Sequence, residues 1–176
     1  MKKKRVLFLC THNAARSHMA EGWLRVMSGD RFEATSAGVE ATQVHLLAIT
    51  VMAEIGIDIS GQTSKQVKPY IGQPWSYVIT VCDSAHERCP LFPFVTNYRR
   101  WECPDRSQAT GTAEERLRVF RRVRDEITAR MRTWLAEEAP DRCRHRWPVS
   151  STERPEMRYR KLQNDITALG KNSQMS

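Results

Sequence analysis

Apolar positions in this chain follow two periods, and the switches between them predict its elements. Residues 6–9 form a continuous apolar run of strand length, consistent with a buried strand. From Ser17 the period becomes helical, with Met19, Ala20, Trp23, Leu24 and Met27 on one face. Ser28-Gly29-Asp30 breaks that helix, and residues 32–37 read as a second short strand closed by Gly38. Residues 43–55 predict a second amphipathic helix through Leu46, Leu47, Ile49, Met52 and Ala53, with Gly56 as its cap. An extended link at 57–60 leads to a weaker helical stretch at 64–71, closed by Pro74. Residues 77–81 are rich in β-branched side chains and form the clearest strand, which runs into Cys82. Residues 83–89 read as a helical turn or loop, 91–93 as irregular, and 96–102 as containing a fourth strand. Thr112-Ala113-Glu114-Glu115 is a capping box. It opens a long helix with Leu117, Phe120, Val123, Ile127, Met131 and Trp134 on one face and arginines on the other, read as a solvated surface, before Pro140.

Strands alternating with helices imply a parallel sheet covered on both faces. The expected fold is therefore α/β, a three-layer α/β/α domain with a four-stranded parallel sheet over residues 1–139. A basic C-terminal tail follows at 140–176, flexible or carrying one short helix through Met157, Leu162, Ile166 and Leu169. Ligands of such sheets bind at the carboxyl ends of the strands. Cys10 and Cys82 both stand at strand ends, which puts two thiols on one rim.

Charge and cysteine usage narrow the class. The 176 residues carry a net charge of +8, and the tail alone holds eight basic and four acidic side chains. That balance favours anionic substrates. Nucleic-acid contact through Arg142, Arg144, Arg146 and Trp147 is the weaker alternative. No apolar run is long enough to span a bilayer, and the MKKKR start leads into a strand rather than a secretory segment, so a cytoplasmic protein is expected. Five cysteines, at 10, 82, 89, 103 and 143, are an odd number for a disulfide framework and point to catalytic or redox thiols.

The chemistry gathers after the first strand, in VLFLCTHNAARS at 6–17. A short loop that turns into a helix N-terminus presents several N–H groups to one small volume, a nest for a tetrahedral oxyanion. Arg16 can close that nest with a bidentate fork. The same field favours a thiolate at Cys10, and Ser17 can donate to its sulfur. The plainer alternative is a buried structural cysteine and a surface arginine. The second informative stretch is Cys82-Asp-Ser-Ala-His-Glu-Arg-Cys89. A metal site using Cys82, His86, Cys89 and Cys103 has the wrong spacing for zinc knuckles or ribbons. A structural pair of buried thiols is another alternative. The reading carried forward is thiol–disulfide exchange, in which Cys82 attacks an adducted Cys10 and Cys89 resolves the bridge.

The C-x5-R loop resembles the phosphate loop of the low-molecular-weight tyrosine phosphatase superfamily. Residues 1–139 look like a thioredoxin-coupled arsenate reductase of that superfamily, through CTHNAARS at 10–17, AEGW at 20–23, SAG at 36–38, TVCDSAHERCP at 80–90 and FRRVRDEI at 120–127. The tail lies outside the resemblance. The chain has Asp105-Arg106 where the family carries Asp-Pro, and Arg100-Trp101 where it carries His-Trp.

The resemblance implies a phosphatase-like fold and a three-cysteine reduction of arsenate to arsenite without a cofactor. The backbone of Thr11, His12, Asn13, Ala14, Ala15 and Arg16 would hold the oxyanion. Cys10 would attack arsenic, and Asp105 would protonate the leaving oxygen. A transient Cys10–Cys82 bridge would release arsenite, and a Cys82–Cys89 disulfide would pass to thioredoxin. Cys103 is read as a small strand residue that could lie near the site, Cys143 as a bystander, and His12 as a tuner of anion affinity or a loop residue. Several relatives hold a potassium ion beside this loop. The matching positions here are Asn13, Glu21 and Ser36, with Thr63 as a further ligand, but an acidic position is Lys65. The expectation is no metal, with the Lys65 ammonium in the ion's place. Two other functions stay open. A low-molecular-weight phosphotyrosine phosphatase would need the loop but neither Cys82 nor Cys89. A thiol-based sensor or nucleic-acid-interacting protein would use the tail.

Overall fold

The computed structural model describes residues 2–81, 90–101, 103 and 110–138. Its elements in chain order are β1 (Lys4–Cys10), α1 (Arg16–Ser28), β2 (Phe32–Gly38), α2 (Leu46–Ala53), β3 (Trp75–Thr80), β4 (Val95–Arg100) and α3 (Ala113–Glu138). All four strands are parallel, in the order β2-β1-β3-β4. The chain goes from β1 to one neighbour, β2, and later to the other, β3. The order therefore reverses at β1, and a crevice opens at its carboxyl end, where Cys10 stands.

The apolar run in β1 divides by alternation. Val6, Phe8 and Cys10 join α1, α2 and α3 in the main core, with Met19, Trp23, Leu24, Val51, Met52, Ile127 and Trp134. Leu7 and Leu9 face the other side, with Trp75, Val78, Val67 and Phe92. A 3-10 turn at Lys68–Tyr70 lies on this second side, where Tyr70 and Ile71 pack.

The capping box forms as expected. The Thr112 N–H donates to Glu115 Oε2 at 2.7 Å, and the Glu115 N–H donates to Thr112 Oγ1 at 3.3 Å. Gly56 caps α2 in a Schellman arrangement: its φ is 77°, its N–H donates to the Ala53 carbonyl, and that of Ile57 donates to Met52.

Three expectations are corrected. The stretch at 64–71 is not a helix apart from the turn at 68–70, because Gln66 bridges Gly38 and the Val67 N–H donates to the Gly38 carbonyl. Helix α2 is shorter than 43–55, since His45 caps it by accepting from the Leu47 N–H, and Leu46 points outward, 76% exposed. The arginine face of α3 is not simply solvated. Arg121 and Arg124 both bind Glu54 at the end of α2, with contacts of 2.7–3.1 Å, and fix α3 against α2. Among the described residues no helix is long and apolar enough to cross a membrane.

Candidate active site

The loop from Cys10 to Arg16 owes its shape to where its carbonyls go. Those of Cys10, Thr11, His12 and Ala14 accept from the N–H groups of Val39, Glu40, Thr42 and His45, at 3.4, 2.8, 3.2 and 2.8 Å. The Asn13 carbonyl lies 2.8 Å from His18 Nε2, and that of Ala15 accepts from the Met19 N–H at 2.9 Å. Six consecutive carbonyls are thus drawn outward. None of the loop's peptide bonds is cis, and in a trans peptide the C=O and the following N–H point in opposite directions. The N–H groups of residues 11–16 therefore turn away from those partners, into the loop. This is the physical origin of the nest, with the N-terminus of α1 adding positive potential.

Cys10 lies at the base of this loop, 3% exposed. Its Sγ receives the Asn13 N–H at 3.1 Å and lies 3.0 Å from Ser17 Oγ. Asn13 Nδ2 donates to that same hydroxyl oxygen at 2.8 Å, which leaves the hydroxyl hydrogen for the sulfur. Both donors favour a thiolate. Asn13 holds φ at 45°, in the left-handed region that side chains seldom occupy, and its side chain is fully engaged. Besides Ser17, Nδ2 donates to Ser36 Oγ at 3.0 Å, and Oδ1 accepts from the Lys65 N–H at 2.7 Å.

The arginine and the main chain after β4 meet here. Arg16 is 6% exposed and donates through Nη1 to the Cys103 carbonyl at 2.7 Å. Cys103 is buried beyond the end of β4, so it is not a strand residue, and its carbonyl is what Arg16 holds. His12 stands at the rim, half-exposed, 3.6 Å from the Glu40 carboxylate.

Behind the loop lies a buried charge. Glu21 is 1% exposed and takes a hydrogen bond from the Ser36 hydroxyl, with Arg25 at 2.5 Å on its other oxygen. The Lys65 ammonium lies 3.9 Å from Glu21 and donates to the Thr63 carbonyl at 2.9 Å. Lys65 thus reaches the Glu21 carboxylate, but Asn13 is served by its backbone N–H rather than by its ammonium.

Cys82, Cys89, Asp105, His86 and Cys143 lie outside the described residues, as does the tail. The last described residue of this stretch is Val81, whose N–H donates to the Leu9 carbonyl at 2.8 Å. Sequence reasoning missed four groups: His18, Arg25, the Cys103 carbonyl, and the strap at 39–45. His18 had a visible signal, a polar residue next to Arg16-Ser17 on a helix whose first turns are buried all round. Among the described residues, no group of three or more metal-ligating side chains is gathered.

With this geometry in view, the chain compares with known proteins as follows. The sequence pattern of the low molecular weight phosphotyrosine protein phosphatase family matches residues 5–142. An arsenate reductase of Halalkalibacterium halodurans is 46% identical over 134 residues, spanning 76% of this chain and 96% of that protein. A solved arsenate reductase in its phosphate-binding state superposes with a TM-score of 0.67 at 33% identity, over 76% of this chain and 98% of the other. A thioredoxin-dependent arsenate reductase from Corynebacterium glutamicum gives a TM-score of 0.50 at 27% identity, covering 75% of this chain and 63% of the other.

Proposed function

The chain belongs to the low molecular weight phosphotyrosine protein phosphatase family and is an enzyme; we propose that it reduces arsenate to arsenite through three cysteines, with thioredoxin as the external reductant. The observation that carries this reading is the nest of inward N–H groups at 11–16 around the Cys10 sulfur, with the buried Arg16 at its end. Such a cradle suits a tetrahedral oxyanion above a nucleophile. The names of the relatives choose arsenate among oxyanions, and the C. glutamicum relative supports thioredoxin.

The steps balance as follows. Arsenate binds to the N–H groups of Thr11, His12, Asn13, Ala14, Ala15 and Arg16 and to the Arg16 guanidinium. The Cys10 thiolate forms a bond to arsenic and displaces one of its hydroxyl groups, which leaves as water on taking a proton from Asp105. The Cys82 thiolate then attacks Cys10 Sγ. A Cys10–Cys82 disulfide forms, the sulfur–arsenic bond breaks, and its electron pair reduces arsenic from the +5 to the +3 state. The Cys89 thiolate attacks Cys82, frees the Cys10 thiolate, and leaves a Cys82–Cys89 disulfide for the dithiol of thioredoxin. Ser17 stabilises the Cys10 thiolate each time it is regenerated.

The buried Glu21 requires a cation. Arg25 pairs with one of its oxygens at 2.5 Å, and in this reading the Lys65 ammonium, 3.9 Å from the other oxygen and bonded to the Thr63 carbonyl, takes the place of the potassium ion that relatives hold near Asn13, Glu21 and Ser36. A further metal ion there would meet the ammonium's repulsion.

The test is NADPH consumption coupled through thioredoxin and thioredoxin reductase, with and without arsenate. Cys10→Ser should abolish turnover. Cys89→Ser should release one arsenite per enzyme and stop as a Cys10–Cys82 bridge. Steady thioredoxin-driven turnover by Cys89→Ser would refute the relay. Hydrolysis of an aryl phosphate, untouched by loss of Cys82 and Cys89 and without arsenate reduction, would favour a phosphatase instead.

A further inference from the structure

We propose that His18 is a positioning residue of the oxyanion loop: it turns the peptide between Asn13 and Ala14 so that the Ala14 N–H faces the bound anion. This rests on the reading of residues 10–16 as the anion cradle. Of the six outward carbonyls, four are held by the strap at 39–45 and one by the next turn of α1. The Asn13 carbonyl is held differently, by a side chain, His18 Nε2 at 2.8 Å. The 13–14 peptide turns about ψ of Asn13 and φ of Ala14, so the φ of 45° at Asn13 does not by itself fix where this carbonyl points, and the His18 contact does. A flip of the 13–14 peptide would aim the Asn13 carbonyl oxygen at the oxyanion and remove the Ala14 N–H from it. One attraction would be lost and one repulsion gained.

The ring is built for this single task. A carbonyl can only accept, so Nε2 carries the hydrogen. On the other side, Nδ1 lies 2.6 Å from Gln62 Oε1 and 3.4 Å from Ser36 Oγ. A protonated ring donates to that oxygen as it stands, and a neutral ring with its hydrogen on Nε2 accepts from the NH2 group once the amide turns over. In both states Nε2–H still reaches Asn13, so proton transfer is not what His18 supplies. His18 is fully buried, and the charges facing it are Glu21 and Lys65, of opposite sign.

The test uses the full chain and two substitutions. His18→Gln keeps an amide N–H at the reach of Nε2, and His18→Leu keeps the bulk without a donor. The probe is inorganic phosphate, with binding measured by calorimetry. His18→Leu should weaken phosphate binding about tenfold, the worth of one hydrogen bond to a charged group. The KM for arsenate should rise by a similar factor, with a smaller effect on kcat. His18→Gln should restore both to within about twofold. A packing role alone would lower the melting temperature and leave the affinity of the folded protein unchanged. Wild-type phosphate affinity in folded His18→Leu overturns the proposal, as does a His18→Gln no better than His18→Leu. Where His18→Leu does not fold, His18→Ala removes the same donor without a bulky apolar side chain. A weakening in the same direction then supports the proposal, and unchanged affinity overturns it. A wild-type protein that binds phosphate without reducing arsenate refutes the reductase reading alone, whereas one that binds no phosphate removes the proposal too.

Discussion

Replacing Gly38 with alanine should damage the site more than the fold. Gly38 ends β2 opposite Cys10, and its backbone is fixed on both sides: its N–H donates to the Lys65 carbonyl and its carbonyl accepts from the Val67 N–H, each at 2.8 Å. A Cβ on Gly38 would stand 2.7 Å from the Asn13 nitrogen, 2.9 Å from Asn13 Cβ and 2.9 Å from the Thr11 carbonyl oxygen. Ordinary contact begins near 3.4 Å, so the loop would have to retreat by about 0.5–0.7 Å. Overpacking of this kind costs about 1–3 kcal/mol, or about 2–12 °C of melting temperature in a chain of this size. The larger effect is catalytic, because the displaced Asn13 nitrogen is the donor to Cys10 Sγ. A misplacement of this order should lower kcat/KM by about tenfold or more. Gly22→Ala is the control. Its Cβ would meet Ile59 Cγ2 at 2.6 Å and Ile57 Cγ2 at 3.3 Å, which are side-chain ends under α1. It should lower the melting temperature and leave phosphate affinity and kcat in place. The assay is thermal melting, phosphate calorimetry and coupled turnover on both variants. A Gly38→Ala protein with wild-type phosphate affinity and kcat/KM would refute the argument that only a glycine permits this loop.

Three further outcomes are expected. Wild-type turnover and melting should not distinguish potassium from sodium at constant ionic strength, while Lys65→Asp should gain a potassium response; specific activation of the wild type by potassium would overturn the tethered-cation reading. Truncation after Ala139 keeps Trp134 and Leu135 in the core and Glu138 on the Tyr77 hydroxyl. It should preserve turnover and cooperative melting, and a large loss of either would show that residues 140–176 belong to the catalytic domain. Burial holds the His18 pKa below its ordinary 6.5, against opposing contributions from Gln62, Glu21 and Asn13, so the folded state binds fewer protons there than the unfolded chain. The stability contributed by the neutral ring is therefore full above 6.5 and falls as pH drops below it; denaturant titrations against pH should show this component in the wild type, and an unchanged pH profile in His18→Gln would refute it.

Much of this protein is fixed by local sequence. Runs of apolar residues set β1 and β3, helical periodicity sets α1 and α3, the Thr112–Glu115 box starts α3, and Gly56 stops α2 by taking a positive φ. The alternation of strand and helix already implies a parallel sheet with its chemistry at strand carboxyl ends. The spacing of Cys10, Arg16 and Ser17 is a property of one short loop, so it too was legible without a structure.

Tertiary structure decided everything that depends on which distant segment supplies a partner. Sequence marks residues 11–16 as a nest, but the outward pull on their carbonyls comes from residues 39–45 and from His18. It marks Arg16 as an anion ligand, but the Cys103 carbonyl that holds the guanidinium lies 87 positions away. The arginines of α3 read as solvated because their acceptor, Glu54, belongs to another helix. The stretch at 64–71 has a helical pattern of its own, yet the edge of β2 claims Gln66 and Val67 for backbone pairing. The physical reason is common to all four. Periodicity and capping act over one or two turns, and the sequence carries them directly. A hydrogen bond between remote segments is chosen only when the packed sheet and helices bring its donor and acceptor together and exclude the water that would otherwise satisfy them.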